Sequence, residues 1–238
     1  AELTTAQVVA LTTQQMAGLT TAQLANMTSA QVAALETRDV VNLSTAQLKA
    51  LTTAQMPQLT TAQIANLTTS QVATLETAYV AVLTPAQVAA FTTTQLPALT
   101  TDHLQALTST QVGALTSVQL PKLSTAQLVG IEANDLKALG TASINALTSS
   151  QAPGLTTAQV VALETSQVQA LSTAAFEKLT TAQLVELTTA QVQALTTAQM
   201  VALSTAQANA LKNTQFEKLS TAQVAAIETV DFASLSTA

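Results

Sequence analysis

The chain has 238 residues, of which 48% are hydrophobic and 8% charged, and its net charge is −6 with only seven basic residues. This composition is too apolar for a disordered chain, and the few basic residues exclude the positive stripe that a nucleic-acid-binding protein needs. Cysteine is absent, which excludes disulfides and thiolate metal sites, and no apolar run approaches the ~18 residues of a membrane span.

From Leu3 onward the sequence repeats every eight residues with the consensus Leu-Thr-Thr-Ala-Gln-Val-x-Ala. Position one of this octad is large and apolar in all 30 units, and position six in 27 of 29, the exceptions being Ala152 and Ala208. No insertion or deletion shifts the register. The pattern predicts a single repeat array over residues 1–238, which grows by adding units and not by enclosing one globular core.

The period of eight residues decides between three architectures. In one continuous helix the Leu stripe would advance about 80° per octad and wind around the axis. A β-solenoid is the second alternative, because Thr and Val favour strands, but tight coils need turn residues and the chain has only five Gly. Ala and Gln favour helix. We therefore predict an all-α solenoid, a superhelix of very short helices with one per octad and with positions one and six in the core.

From the first octad onward, Thr or Ser at position two or three is expected to be the N-cap of each helix. The Gln at position five then completes a capping box by accepting from the N–H of the cap. Gly or Asn at position eight suits a left-handed residue at the end of the helix, and this substitution occurs at Gly18, Gly130, Gly154, Asn26, Asn42 and Asn66.

The fifth octad introduces two acidic substitutions. Glu at position two is a poor N-cap, so the cap is expected to move to position three in the octads of Glu36, Glu76, Glu132, Glu164 and Glu228. Position five is acidic at Asp39, Asp135 and Asp231, each three residues after one of these Glu. Paired carboxylates suggest Ca²⁺, but the dense Asp-x-Asp-Gly loops of calcium motifs are missing. We expect these Asp to act as capping carboxylates at helix N-termini.

The spacing of these Asp residues reveals a longer period of 96 residues, or twelve octads. A second echo has a spacing of 40 residues, as between Glu36 and Glu76. Duplication of larger blocks explains both spacings. The alternative is that twelve octads make a whole number of superhelical turns, so that Asp39, Asp135 and Asp231 lie on one line parallel to the axis.

Proline marks further octads along the chain. Pro at position seven costs a hydrogen bond in any helix longer than one turn, so the octads of Pro57, Pro97, Pro121 and Pro153 are expected to be short or partly 3₁₀-helical. Pro85 follows Thr84 and fits the first helical position.

The only tyrosine, Tyr79, and the only histidine, His103, both replace the Gln at position five. His103 lies next to Asp102, and such a pair can act as a general base. However, no motif supplies a nucleophile, and we interpret both residues as substitutes for a capping Gln. The sequence contains no P-loop, dinucleotide fingerprint or zinc spacing. It therefore predicts no catalytic, cofactor-binding or metal-binding residues, and a protein that is not an enzyme.

Two resemblances to known families follow from these octads. The segment Leu83-Thr84-Pro85-Ala86-Gln87-Val88-Ala89-Ala90-Phe91 resembles the first helix of a TAL-effector repeat. Since the longer unit and the basic stripe of that family are missing, only the helix start is implied, not DNA binding. Runs such as Leu187-Thr188-Thr189-Ala190-Gln191 resemble arrays in very large bacterial exoproteins labelled as involved in haem utilisation or adhesion.

The second resemblance covers the entire chain and implies an extracellular or bacterial cell-surface location. We expect a structural segment such as a stalk, spacer, fibre or adhesin. The alternative is a binding module for a peptide, glycan or ice, which would use the Thr-rich surface or a groove exposing positions five and seven. The array starts and stops in mid-pattern, so it is either part of a longer array or able to associate end to end.

Overall fold

The structure is a computed structural model that describes residues 3–234. The chain divides into two compact units, Ala1–Ala114 and Leu115–Ala238. Within the described range every octad forms one short helix, and no strand occurs. The prediction of an all-α repeat structure with one helix per octad is confirmed.

Between residues 3 and 114, the first unit contains twelve α-helices and two 3₁₀-helices. The α-helices are α1 (Thr5–Val9), α2 (Thr13–Ala17), α3 (Thr21–Ala25), α4 (Ser29–Ala34), α5 (Thr37–Asn42), α6 (Thr45–Leu48), α7 (Thr61–Asn66), α8 (Thr69–Ala73), α9 (Thr77–Val82), α10 (Pro85–Ala90), α11 (Thr101–Gln105) and α12 (Ser109–Gly113). The 3₁₀-helices are Met56–Gln58 and Leu96–Ala98.

The second unit contains, in its described residues, twelve α-helices and three 3₁₀-helices. The α-helices are α13 (Thr125–Gly130), α14 (Thr141–Asn145), α15 (Thr157–Ala162), α16 (Thr165–Ala170), α17 (Thr173–Phe176), α18 (Thr181–Val185), α19 (Thr189–Ala194), α20 (Thr197–Val201), α21 (Thr205–Ala210), α22 (Asn213–Phe216), α23 (Thr221–Ala226) and α24 (Thr229–Ser234). The 3₁₀-helices are Leu120–Lys122, Asp135–Ala138 and Ala152–Gly154.

Each α-helix with the consensus sequence starts with a capping box whose N-cap is position two. In α7 the Thr60 hydroxyl accepts from the Gln63 N–H at 3.2 Å, and Gln63 Oε1 accepts from the Thr60 N–H at 2.6 Å. These two bonds satisfy N–H groups that have no partner inside the helix. The predicted capping box is confirmed, and its cap lies at position two.

The octads with Glu at position two correct one expectation. Glu36, Glu76 and Glu164 remain the N-caps of α5, α9 and α16, so the cap does not move to position three. At Glu36 and Glu76 no side-chain capping bond forms. The extended backbone at position two is therefore set by the repeat and not by the capping side chain.

The helix ends correct a second expectation. No residue between 3 and 234 has a positive φ, and Gly18 and Asn26 close their helices with φ of −81° and −92°. In α5, which ends at Asn42, the chain turns to extended backbone at Leu43, with φ −61° and ψ 131°, and this does not require Gly. Asn26 uses its side chain differently, because its Nδ2 donates to the Ala22 carbonyl at 2.8 Å.

Proline acts as predicted in both roles. Pro85 is the first residue of α10. Pro57, Pro97, Pro121 and Pro153 each occupy the second residue of a 3₁₀-helix. The missing N–H of proline is tolerated there because a single turn leaves its first N–H groups without helical partners in any case.

Within each unit the helices stack as a solenoid, each packing against the helix three octads further along. Examples are α7 on α10 in the first unit and α16 on α19 in the second. Positions one and six face the interior: Ile64 is 0% exposed and Leu67 3%. Because a helix of one or two turns is unstable alone, the burial of these two apolar columns against neighbouring turns holds each helix in place. The predicted core is confirmed.

No helix among residues 3–234 combines the length and the apolar character required to cross a membrane.

Candidate functional site

The side chains at position five form a buried line along each unit, which we call the position-five column. Gln7, Gln15 and Gln23, at the start of the first unit, are exposed. From Gln31 onward the described residues of the column are buried, except that Asp135 is half-buried. A polar side chain in such a place needs hydrogen-bond partners, because burial without them costs free energy.

Within each unit, buried Gln amides join two successive turns of the solenoid. Gln63 Oε1 caps its own helix, while Gln63 Nε2 donates to the carbonyls of Leu35 at 2.6 Å and Val32 at 3.4 Å. These acceptors precede Gln63 by 28 and 31 residues. One turn of the solenoid therefore takes between three and four octads.

The same register is kept in the second unit. Gln159 Nε2 donates to the carbonyls of Leu128 at 2.7 Å and Ile131 at 2.8 Å, again 31 and 28 residues earlier. The carbonyls at the end of a helix have no donor inside that helix. One amide thus satisfies the start of its own helix and the end of a helix in the preceding turn.

Sequence reasoning predicted the capping half of this arrangement and missed the bond between turns. The signal was present in the composition of the column, since position five is Gln in 22 octads and Glu in none. A capping box accepts Glu as readily as Gln, because it needs only the side-chain oxygen. The exclusion of Glu indicates that the amide N–H₂ is also used.

His103 reproduces both halves of the Gln geometry. Its Nδ1 accepts from the Thr100 N–H at 3.1 Å, and its Nε2 lies 2.8 Å from the Leu75 carbonyl, 28 residues earlier. These partners place the ring proton on Nε2. The interpretation of His103 as a substitute for a capping Gln is confirmed, and both ring nitrogens are engaged in structural bonds.

Tyr79 differs from that interpretation, because it forms no capping bond. Its hydroxyl donates to the Lys49 carbonyl at 2.6 Å, 30 residues earlier. Burial, and secondly the charge of Glu76, raise the pKa of Tyr79 above its ordinary value. Ser143 also bonds to the preceding turn, through its hydroxyl and the Leu115 carbonyl at 2.8 Å. Both side chains therefore donate a hydrogen bond to the preceding turn, but neither forms the capping bond to its own helix.

The Asp residues of the column correct a further expectation. Asp39 is fully buried and forms no capping bond in α5. Instead its Oδ1 accepts from the hydroxyl of Thr13 at 3.3 Å, and Asp231 Oδ1 accepts from Thr205 at 2.5 Å. The predicted capping role is therefore wrong for Asp39. Among residues 3–234 no three His, Cys, Asp or Glu side chains come together as a metal-binding group.

The outer surface carries the third and seventh positions of the octads. Thr61 at position three and Val129, Val161 and Val201 at position seven are exposed. In the second unit a shallow cavity of about 480 Å³ lies beside Asn134, with exposed Val161 in its lining. Beyond the first turn, the described position-five side chains are buried except for half-buried Asp135, contrary to a groove that would expose positions five and seven together.

Comparison with known proteins identifies the repeat. The family model of the ALTTAQ repeat matches residues 32–69, 72–109, 93–125, 128–165 and 160–197. No curated protein matches the chain. The matched segments contain the capped helices and most of the position-five column, and together they cover more than half of the sequence. The chain belongs to the ALTTAQ repeat family.

Proposed function

We propose that this array is a non-catalytic structural segment, a spacer or stalk in a secreted or cell-surface bacterial protein. The observation that carries the proposal is the bond between turns made by the position-five column. Within each unit, buried Gln residues such as Gln63 and Gln159 bond to the preceding turn at the same offsets, so octads added in this way extend the solenoid with the same contacts. Such repeated contacts allow the solenoid to be long, and they do not create a unique ligand-binding pocket.

The surface supports the same proposal. Beyond the first turn position five is turned into the interior, and most exposed positions carry uncharged residues such as Thr61. Among residues 3–234 some ion pairs lie on this exposed surface, as between Lys212 Nζ and Glu186 Oε1 at 3.3 Å. The extracellular or cell-surface location rests on the resemblance to arrays in large bacterial exoproteins.

The spacer proposal is tested by removing whole turns. Because the chain has no cysteine, single Cys residues can be placed at exposed Thr125 and Thr221 of the second unit and spin-labelled. We expect each deletion of three octads between them to shorten the label distance by about 8–10 Å, the spacing of packed helices. An unchanged distance, or loss of the helical circular dichroism signal after deletion, contradicts the proposal.

The competing binding function predicts a different result. A saturable heat of binding to a glycan or peptide, abolished by changing position-seven residues such as Val161 but not by deleting distant octads, favours a binding module.

Association between copies forms a second part of the proposal. Leu19 and Met27, at the start of the first unit, are only half-buried, although their equivalents in later octads are buried. They line a cavity of about 280 Å³ together with Gln23 and Gln31. At the other end, Leu211 and Phe216 are likewise half-buried. We propose that the last turn of one copy covers the first turn of another; in a longer array, preceding octads would cover the same face.

Sedimentation velocity tests this association. We expect the sedimentation coefficient of the 238-residue chain to increase with concentration. Met27→Lys should abolish the increase by placing a charge on the covered face, whereas Ala25→Lys, at an exposed position two residues away, should leave it unchanged. A single species at all concentrations contradicts association between copies.

A further inference from the structure

Beyond the first turn, buried Gln residues of the position-five column donate a hydrogen bond to the preceding turn, as Gln63 does to Leu35, and His103, Tyr79 and Ser143 keep this property. Asp is the one polar residue of the column that cannot supply a donor as a carboxylate. Nevertheless Asp39 is 0% exposed and Asp231 is 3% exposed. The chain thus replaces a donor with a negative charge at a buried position, which is costly unless the charge is compensated.

The surroundings of Asp39 compensate only part of this charge. Oδ1 accepts from the Thr13 hydroxyl at 3.3 Å, whereas Oδ2 is buried and has no hydrogen-bond partner. Arg38 Nε lies 3.9 Å from Oδ1, but the Arg38 side chain is 62% exposed and its Nη2 pairs with Glu36 Oε2 at 2.6 Å. An exposed guanidinium shared with another carboxylate stabilises a buried charge weakly.

The repeat register indicates which groups face Asp39. In the next octad, Gln47 Nε2 donates to the carbonyls of Met16 at 3.3 Å, Ala17 at 3.1 Å and Leu19 at 2.9 Å, which precede it by 31, 30 and 28 residues. The same offsets from Asp39 lead to Val8, Val9 and Leu11. Two of these residues close α1, where the helix dipole adds partial negative charge. By this register, the Asp39 carboxylate faces backbone carbonyl oxygens, which are hydrogen-bond acceptors and cannot donate to it.

We propose that Asp39 binds a monovalent cation the size of potassium, held by its carboxylate, the Thr13 hydroxyl and the carbonyls of Val8 and Leu11. The Gln47 amide nitrogen marks the equivalent place in its own octad and lies 2.9–3.3 Å from three carbonyls. Calcium requires oxygen ligands at about 2.3–2.6 Å and magnesium at about 2.0–2.1 Å, both shorter than these distances. Carbonyl oxygens that replace a hydration shell are known ligands of potassium.

The bond between Thr at position three and Asp at position five recurs in the second unit. The hydroxyl of Thr205 donates to Asp231 Oδ1 at 2.5 Å, with the same separation of 26 residues that joins Thr13 to Asp39. The register places the carbonyls of Met200 and Leu203 opposite Asp231. A second site of the same kind is therefore part of the proposal, and it depends neither on the spacer function nor on association between copies.

The proposal is tested on the full chain by thermal unfolding in potassium chloride and in choline chloride at equal ionic strength. We expect potassium to raise the melting temperature of the natural chain by about 2–4 °C over choline. The double variant Asp39→Gln, Asp231→Gln restores the consensus donor and should melt at the same temperature in both salts. Asp102→Asn, which removes an exposed carboxylate, serves as the control and should keep the response of the natural chain.

Two results overturn the proposal. One is an equal potassium response in the natural chain and the double variant, which would place the effect elsewhere. The other is a natural chain that melts at the same temperature in potassium chloride and in choline chloride, which would show that no potassium ion is bound. Crystals grown with rubidium give the direct measurement: an anomalous peak beside Asp39 Oδ2 supports the site, and its absence contradicts it.

Discussion

The first turn and the interior of the first unit carry the same octads in different surroundings. Gln15 and Gln63 make the same capping bonds, with Oε1 at 2.9 and 2.6 Å from the N–H of the cap. Yet Gln15 is exposed, while Gln63 is 1% exposed and also donates to the preceding turn. The comparison shows that the octad encodes two separate interactions: the cap is local, and only the bond between turns requires a neighbour.

Replacing the Gln amide with a carboxylate should produce the largest difference in stability between the two regions. Gln63→Glu keeps the capping oxygen but places a buried charge against the Leu35 carbonyl, and we expect it to lower the free energy of unfolding by about 3–5 kcal/mol. Gln15→Glu should change it by less than about 0.5 kcal/mol. Urea unfolding followed by circular dichroism measures both. Equal effects at the two positions would contradict the role of the amide.

Removing the cap should have the same effect in both regions. Thr60→Ala and Thr12→Ala each remove an N-cap hydroxyl, and each should cost about 1 kcal/mol. Thr61→Ala, at the exposed position three of the same octad, is the matched control and should be nearly neutral. A larger loss for Thr61→Ala than for Thr60→Ala would place the cap at position three.

Tyr79 offers a milder change inside the column. Tyr79→Phe keeps the ring in the core but leaves the Lys49 carbonyl without the hydroxyl donor, so we expect a loss of about 0.5–1.5 kcal/mol. Thermal unfolding measures the change. A neutral substitution would mean that water satisfies the carbonyl and that this part of the column is open.

The ionisation of Tyr79 should have the smallest effect on stability at neutral pH, and it tests whether the hydroxyl is buried. Its pKa is raised above 10.0 by burial and by Glu76, so the folded chain favours the neutral phenol. Its contribution to stability is therefore complete below about pH 10 and is lost as the pH rises through the raised pKa. As the only tyrosine in a chain without Trp, it can be titrated by absorbance near 295 nm. An ordinary midpoint would contradict burial.

The sequence predicted those parts of the fold that depend on one octad. The capping box, the start of α10 at Pro85 and the 3₁₀-helices at proline all follow from rules that act over a few residues. The spacing of Leu67 and Ile64 likewise gave the buried face correctly. Such features are predictable because their physical causes lie inside the segment that shows them.

The remainder depended on the preceding turn, which no single octad specifies. Asp39 and Tyr79 were interpreted from their own helix, whereas their partners Thr13 and Lys49 lie 26 and 30 residues earlier. The left-handed end predicted at Gly18 was wrong, because Gly18 closes α2 in the right-handed helical region with a φ of −81°. The number of residues in one turn of the solenoid determines which carbonyls face position five, and the eight-residue periodicity does not provide this number.

The constant reach of the position-five bonds bears on how the chain folds. Gln63 and Gln159 lie in different units, yet both find partners 28 and 31 residues back. Each turn therefore closes a loop of the same size at the same entropic cost, however many octads the array has. Relative contact order falls as octads are added, so lengthening the gene need not slow acquisition of structure. A nascent chain can therefore fold progressively from its amino-terminal end, because each completed turn provides the carbonyls to which the next turn bonds.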